Sequence, residues 1–402
     1  MSTETETHLG ESKRVILSSL IKQLSPNKEI KHMVLPCFLL QPRSTLESFT
    51  DMFTYIDELY KINEIDDEGE RFLQFVKFYL TGWHTRPKGI CKPFNPVIGE
   101  EFECFWSNNK NEDLPHIDEL IEDNNSDVGV FKAEQISHHP PLSAYVFYNK
   151  FQKILVNGNI CPSYVKFMGN SAESHLQGIL EFNFFKWNEC FECTLPTVGV
   201  KGIILGKLSP FTCGDIEIKS KNSKYSCKLE FLFKGLFGSS KNINGIKGTI
   251  LYDNKPIYKV RGNWDKQIFI KKINEIAGTH GGSSSGSHTN STERCLMDVS
   301  LLKNSKEKYT KPIEQQPPNS SYHLWELVTK NINNNNDKET AEEKAKIEEK
   351  QRKEESERRE KGILWEPKEF HFKENPNNEY KTTFYYNDIP KLFDNLQSKP
   401  IQ

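Results

Sequence analysis

The sequence predicts a mainly β protein of the α+β class. One large antiparallel sheet curls into a near-closed barrel around an apolar lumen, with helices before it and a helical region near the carboxyl end. Three observations carry this. From Val128 to Ile270, short runs rich in Val, Ile, Phe and Tyr recur between Gly, Asn and Pro, the punctuation of successive antiparallel strands. Upstream, apolar residues recur at helical spacing between Lys13 and Gly82. Downstream, Lys338 to Lys361 is a long run of nearly balanced acid and base, which reads as a solvated helix held by charge pairs four apart.

Composition bounds the function. A chain of 402 residues with 36% hydrophobic and 11% aromatic content can bury a sizeable core, as one large or two smaller domains. A formal net charge of -2 gives no bulk attraction to nucleic acid or anionic membrane, so no nucleic-acid partner is expected and any phosphate-binding surface must be local. The 9 cysteines are odd in number and scattered, and the amino terminus lacks a basic-then-apolar leader; a reducing, cytosolic home is expected. Cys190 and Cys193 form one C-x-x-C without a second pair at zinc spacing, and the alternation around Phe191 favours two half-buried thiols over a metal or redox site. No metal or cofactor is expected. No stretch has the apolar length needed to span a bilayer.

In chain order, residues 1–12 are polar and expected to be unstructured. In 13–33, Val15, Ile16, Leu17, Leu20, Ile21 and Leu24 recur at helical spacing before Pro26 ends the pattern: a short amphipathic helix, either packed on the core or mobile over it. Val34 to Ser44 is apolar and punctuated by prolines. Phe49 to Ile62 and Glu70 to Gly82 read as core-packing helices, the second with Phe72, Leu73, Val76, Tyr79 and Leu80 near one face. In Lys88 to Glu100, two prolines bracket Phe94 and Asn95 and force a stiff extended loop, which can hold Lys92 and Asn95 at fixed separation as an oxyanion cradle or serve simply as a surface turn.

A strand is expected over Glu101 to Phe105, and an acidic loop over Asn108 to Asp127. Strands then follow at Ala144 to Tyr148, Lys153 to Asn159, Ser163 to Phe167, His175 to Phe185, Cys190 to Leu195, Gly202 to Leu208, Ile216 to Lys219, Cys227 to Phe233, Lys247 to Tyr252, Ile257 to Gly262 and Gln267 to Ile270. A sheet this long resolves its edges most simply by closing. Between two apolar runs stand His138 and His139, followed by Pro140 and Pro141: a rigid corner that presents imidazoles, either as solvated or satisfied structural groups or as a site able to hold an anion. Gly278 to Thr292 reads as a flexible insertion with His280 and His288 as bystanders, Pro312 to Pro318 as a connecting loop, Ser321 to Val328 as a helix start, and Asn331 to Asn336 as a surface bulge. On the charged helix, Lys344, Glu348 and Arg352 stand four apart and drift only about 40° per step, so they share a face. A carboxylate between two cations can fix both and leave their outer donors aimed at a phosphate.

The octapeptide Glu134-Gln135-Ile136-Ser137-His138-His139-Pro140-Pro141 resembles the signature of the oxysterol-binding-protein family of lipid-transfer proteins. Lys92-Pro93-Phe94-Asn95-Pro96, followed by Gly99-Glu100, is similar to its second hallmark. Thr194 to Val198, Ile203 to Leu208 and Tyr258 to Asp265 resemble its later strands. Ala345 to Arg352 and Gly362 to Phe370 resemble its carboxyl-terminal helix and closing stretch, with Glu369 where an aromatic residue is usual. The resemblance runs from about Leu35 to Phe372 and implies a short form consisting of the lipid-binding domain alone, over 34–402, with 13–33 as a lid over a lipid tunnel. It further implies that Lys92, Asn95, His138, His139, Lys344, Glu348 and Arg352 bind the headgroup of phosphatidylinositol 4-phosphate. That lipid would exchange for a sterol, or alternatively phosphatidylserine, in the same tunnel during transient contact of a monomer with membranes. A non-transferring lipid sensor is compatible with the same residues. A hydrolase with His138 as base and Ser137 or Glu134 nearby is the rival from another class, though neighbours along a strand point to opposite faces.

Overall fold

The computed structural model describes residues 7–8, 37–85, 92–108, 117–167, 170–203, 207–233, 244–273, 293–303, 305–374 and 382–388. Val15, Ile16, Leu17, Leu20, Ile21 and Leu24 lie outside the described residues, as does the glycine-serine stretch 278–292. Within the segment expected to be unstructured, Thr7–His8 (β1) pairs with Leu208 and Lys207.

The strands that follow are β2 (Leu40–Ser44), β3 (Lys92–Phe94), β4 (Glu101–Ser107), β5 (Val128–His138), β6 (Pro141–Asn149), β7 (Ile154–Phe167), β8 (Ser171–Phe184), β9 (Glu189–Cys193), β10 (Thr197–Lys201), β11 (Lys207–Ser220), β12 (Tyr225–Leu232), β13 (Gly245–Tyr252), β14 (Lys255–Asn263), β15 (Gln267–Lys272) and β16 (Glu293–Asp298). β1 and β4 to β16 form one 14-stranded antiparallel sheet that meanders from β4 to β16. β9 and β10 are two halves of one path: both lie between β8 and β11. The path breaks at Thr194 to Pro196, where proline cannot donate to a ladder.

The sheet is not strictly closed. Among the described residues β4 and β16 do not pair with each other, and the chain between Val299 and Ser320 runs across the gap. Phe105 and Tyr309 exchange backbone hydrogen bonds of 2.8 Å, Glu101 N–H donates to the Asn319 carbonyl, and Val299 N–H to that of Lys266. Covering an open edge in this way satisfies groups that would otherwise template a further strand.

Three helices precede or interrupt the first strands: α1 (Thr45–Ser48), α2 (Ile56–Tyr60) and α3 (Glu68–His84). α3 starts at Asp67, whose side chain accepts from Glu70 N–H. It runs through the barrel interior. Phe72, Phe75, Phe78 and Tyr79 are buried against Phe182, Phe184 and Phe191 of the sheet, and the Tyr79 hydroxyl donates to the Thr194 carbonyl at 2.7 Å. Each such fully buried ring is worth about 1.5–3 kcal/mol. The expected apolar lumen is therefore filled by a helix over Leu180–Phe184 of β8, whereas over Ser171–Ile179 and throughout β10 no residue is fully buried.

A second core lies on the outer face. Phe370 and Tyr386 belong to a carboxyl-terminal hairpin, β17 (Phe370–Glu374) and β18 (Thr382–Tyr386), that packs over Val130, Ala144, Val146 and Tyr148. This explains the unbroken apolar run of β6, which is covered on both faces.

Several expectations need correction. The segment expected as one helix over Phe49 to Ile62 is a series of short α and 3-10 turns. Ser48, Thr50 and Thr54 hydroxyls donate back to the carbonyls of Thr45, Glu47 and Asp51, the local competition that shortens helices. The acidic stretch expected as a loop contains α4 (Ile117–Glu122), because Ile117, Leu120 and Ile121 fall on one face and pack into the outer core. Two expected strands merge into β7, with a register shift between Pro162 and Tyr164. Gly202, at φ +81, and Ile203 turn the chain, and β11 then runs unbroken to Ser220. Cys190 and Cys193 are free thiols, both buried rather than half-buried, Cys193 almost completely, and burial raises both pKa values.

Candidate functional site

The loop after β3 is held by what it buries. Phe94 is fully buried and stacks on Trp325 with centroids 4.7 Å apart, while Thr45 Oγ1 donates to its carbonyl at 2.8 Å. Trp325 stands between α5 (Ser321–Leu324) and α6 (Glu326–Asn333). With Phe94 pinned inward, its neighbours Lys92 and Asn95 face solvent. Lys92 is accessible, yet its ammonium pKa is lowered, first by desolvation and then by the Lys344 cation, against the opposing pull of Glu348.

His138 ends β5 and His139 occupies the two-residue corner before β6. Their rings lie 4.5 Å apart at 66°. His138 is pushed below the usual imidazole range, first by burial and then by His139, against the raising effects of Glu355, a hydrogen bond to the Pro96 carbonyl, and Glu348. Its Nδ1 is buried with no hydrogen-bond partner among the described residues.

The third contributor is α7 (Asp337–Glu360). Its inward stripe is mostly polar: Thr340 and Gln351 are buried, Ile347 packs against the Phe94–Trp325 cluster, and Lys344 lies on the same face. Lys344 Nζ forms an ion pair with Glu348. Arg352 is exposed and makes no ion pair among the described residues, so Glu348 orients one cation rather than the two its spacing allows. Three segments distant in sequence thus bring Lys92 into electrostatic range of Lys344 and Glu348, and His138 into range of Glu348, with His139 beside His138, while Asn95 and Arg352 stand exposed.

The braces behind this site are residues that spacing arguments passed over. Glu100 is fully buried: Ser321 Oγ and Trp325 Nε1 donate to its carboxylate at 2.7 and 2.8 Å, and Val97 N–H at 3.1 Å. Burial raises its pKa despite these donors. Glu134, likewise buried, accepts from the backbone N–H of Lys368 and Glu369 at 3.0–3.1 Å; desolvation raises it while those two bonds oppose. Its oxygens therefore hold the closing stretch and do not orient His138, as the hydrolase reading requires. Glu369, the departure from the family pattern, lies 3.7 Å from Lys132 Nζ. A carboxylate at one end of each hallmark, Glu134 opening the first and Glu100 closing the second, was the available sequence signal.

Gly99 shows how tight the assembly is. At φ +72 it adopts a conformation that favours glycine, and a Cβ there would meet Trp365 Cζ2 at 2.4 Å. Gly99→Ala is expected to cost about 2–4 kcal/mol from left-handed backbone and overlap together. Trp365→Gly in the same chain should restore about half of it; a urea-unfolding double-mutant cycle without coupling refutes the contact.

An antiparallel sheet wrapped around a helix, with a desolvated lysine, a histidine pair and a lysine–glutamate pair gathered from three segments, defines the class. A family description of oxysterol-binding proteins matches residues 19–391, and the chain belongs to the oxysterol-binding protein family. It is 31% identical to human oxysterol-binding protein-related protein 5 over 92% of this chain and 39% of that protein. It is 32% identical to oxysterol-binding protein 4 of Dictyostelium discoideum over 99% of this chain and 79% of that protein. The chain thus spans well under half of its human relative. Among solved structures, the Osh1 ORD domain in complex with ergosterol superposes with a TM-score of 0.70 at 22% identity, covering 92% of this chain and 85% of that one. The Osh3 ORD in complex with PI(4)P from Saccharomyces cerevisiae gives 0.64 at 22% identity, covering 97% and 93%. These two establish the fold. No helix among the described residues is long and apolar enough to cross a membrane.

Proposed function

We propose that the protein is a lipid carrier that takes phosphatidylinositol 4-phosphate and a sterol into one tunnel in mutually exclusive fashion and exchanges them between membranes, approaching each from the aqueous side. The observation that carries this is a pair of lysines drawn together from separate segments: the Lys344 cation lowers Lys92 further, and the ion pair of Glu348 goes to Lys344 rather than to Lys92. Such a cluster is relieved by an anion, and a phosphate monoester, with nearly two charges and several acceptors, supplies it. The orphan His138 Nδ1 gives the phosphate a further partner once protonated. Asn95 and Arg352, both exposed, would close over the inositol. The part-exposed reach of β8 and β10 beyond α3 is the candidate lumen for the acyl chains or the sterol.

The test is extraction of phosphatidylinositol 4-phosphate from liposomes by the native protein and by His138→Ala/His139→Ala, with sterol or phosphatidylserine as competitor. Native extraction, its loss in the variant and displacement by sterol alone support the proposal. Displacement by phosphatidylserine alone reassigns the second lipid, extraction without any displacement leaves a sensor, and failure of the native protein to extract ends the headgroup reading. The pH dependence has a definite sign. His138 is neutral at pH 7 in the free protein because its pKa is lowered, and a bound phosphate favours the imidazolium. Binding therefore takes up a proton, and affinity rises as pH falls from about 8 toward about 6, where the phosphate itself begins to protonate. Any residual affinity of the double variant should lack that rise.

A further inference from the structure

We propose that Ile363 and Leu364 form a membrane-contacting knuckle that seats the candidate headgroup site against an anionic bilayer; this rests on the lipid-carrier reading above. Leu364 is 87% exposed and Ile363 56%, adjacent large apolar side chains in a protein that leaves few others open among its described residues. Both are held rigidly. On one side the helix α7 ends in a cap: Gly362 takes φ +65, and Gly362 and Ile363 N–H donate to the carbonyls of Arg359 and Arg358. An apolar residue at the position of Ile363 commonly folds back onto the last helical turn in such a cap, and here it stays in solvent. On the other side Trp365 packs against Gly99, with the Arg358 guanidinium 5.5 Å from its ring centroid, and Glu134 clamps Lys368 and Glu369. A two-residue tip between two anchors loses little conformational freedom on insertion.

Position and charge choose the occupant. Gly99 belongs to the loop that carries Lys92 and Asn95, and Glu134 to the strand that ends in His138, so the knuckle adjoins the site. Within five residues on either side stand Arg358, Arg359, Lys361 and Lys368 against Glu360, Glu366 and Glu369, a margin with one cation in excess that anionic lipid headgroups can meet. Two side chains are far too little for a stable protein interface, which needs on the order of 1,200 Å² or more. They suit reversible insertion into the headgroup layer, where a few apolar groups and a few cations suffice.

The experiment compares native protein with Ile363→Asp/Leu364→Asp in two arms. The first is flotation with vesicles of phosphatidylcholine and phosphatidylserine lacking phosphoinositide; the second is binding of soluble, short-chain phosphatidylinositol 4-phosphate. Vesicle association should fall by about tenfold or more in the variant, with soluble-ligand binding unchanged. A separate Leu364→Trp variant should show an indole emission shift to the blue on adding vesicles, beyond any shift of the native protein. Equal flotation of native protein and the double variant, or an introduced indole whose emission does not move, overturns the knuckle. Failure of the native protein to bind the soluble ligand while the flotation difference persists strikes the headgroup reading and leaves the knuckle standing.

Discussion

Lys344→Glu is expected to weaken binding of short-chain phosphatidylinositol 4-phosphate by a hundredfold or more. It removes a charge-assisted donor and places a second carboxylate beside Glu348, a change on the order of 3 kcal/mol at a desolvated site. Lys344→Met should lose less, because it deletes the attraction without adding repulsion. Lys344→Met should unfold within about 1 kcal/mol of the native protein, because an apolar side chain replaces one member of a partly buried ion pair, whereas Lys344→Glu should lose more because it sets two carboxylates together there. The Lys92 ammonium, depressed in part by Lys344, should regain pKa in either variant, which a Lys92-selective labelling rate against pH would register. Equal affinity of native protein and Lys344→Glu for the soluble ligand would remove α7 from the site and reduce the cluster to Lys92 and the two histidines.

What could be read from sequence, and what could not, divides by physics. The strands were legible because alternation and turn residues are local. Lys92 and the histidine pair were legible because prolines beside them stiffen the chain at the point where cations or imidazoles are shown. The filling of the barrel by α3 was not legible: periodicity says that Leu180, Phe182 and Phe184 need cover but not that Phe75 and Phe78 supply it. Nor does a buried carboxylate look different in sequence from a solvated one, so Glu134 could be weighed only as a neighbour of His138 and Glu100 only as the end of a hallmark until their donors were in view. The α7 stripe of Thr340, Lys344, Ile347 and Gln351 escaped because inward-facing residues are polar, and a pattern search weights only apolar ones. Spacing correctly put Lys344 and Glu348 in register, but Arg352 lies about 80° round the helix from Lys344, enough to leave it in solvent.

Glu100→Ala should be the most damaging single change away from the ligand-facing groups, costing about 3–5 kcal/mol in urea unfolding. It strands the Trp325 indole N–H and the Val97 N–H, each worth about 1–3 kcal/mol when unsatisfied, and leaves the Ser321 hydroxyl only its longer bond to the Glu101 carbonyl. Those donors come from the β3 loop and from the α5–α6 corner, so the same substitution should slacken Lys92 against α7 and lower extraction even where the chain remains folded. Glu100→Gln keeps an acceptor oxygen and should recover part of both losses. The pH dependence separates the carboxylate's charge from its bonding. Because burial raises the folded pKa of Glu100, its stabilising contribution is full below the unfolded carboxylate range near about 4.3 and shrinks as pH rises from there through the folded value. The gap in stability between native protein and Glu100→Gln should narrow over that rise. A gap that widens instead would mean that Glu100 is held as a favourable anion, and that its donors outweigh the burial that opposes them.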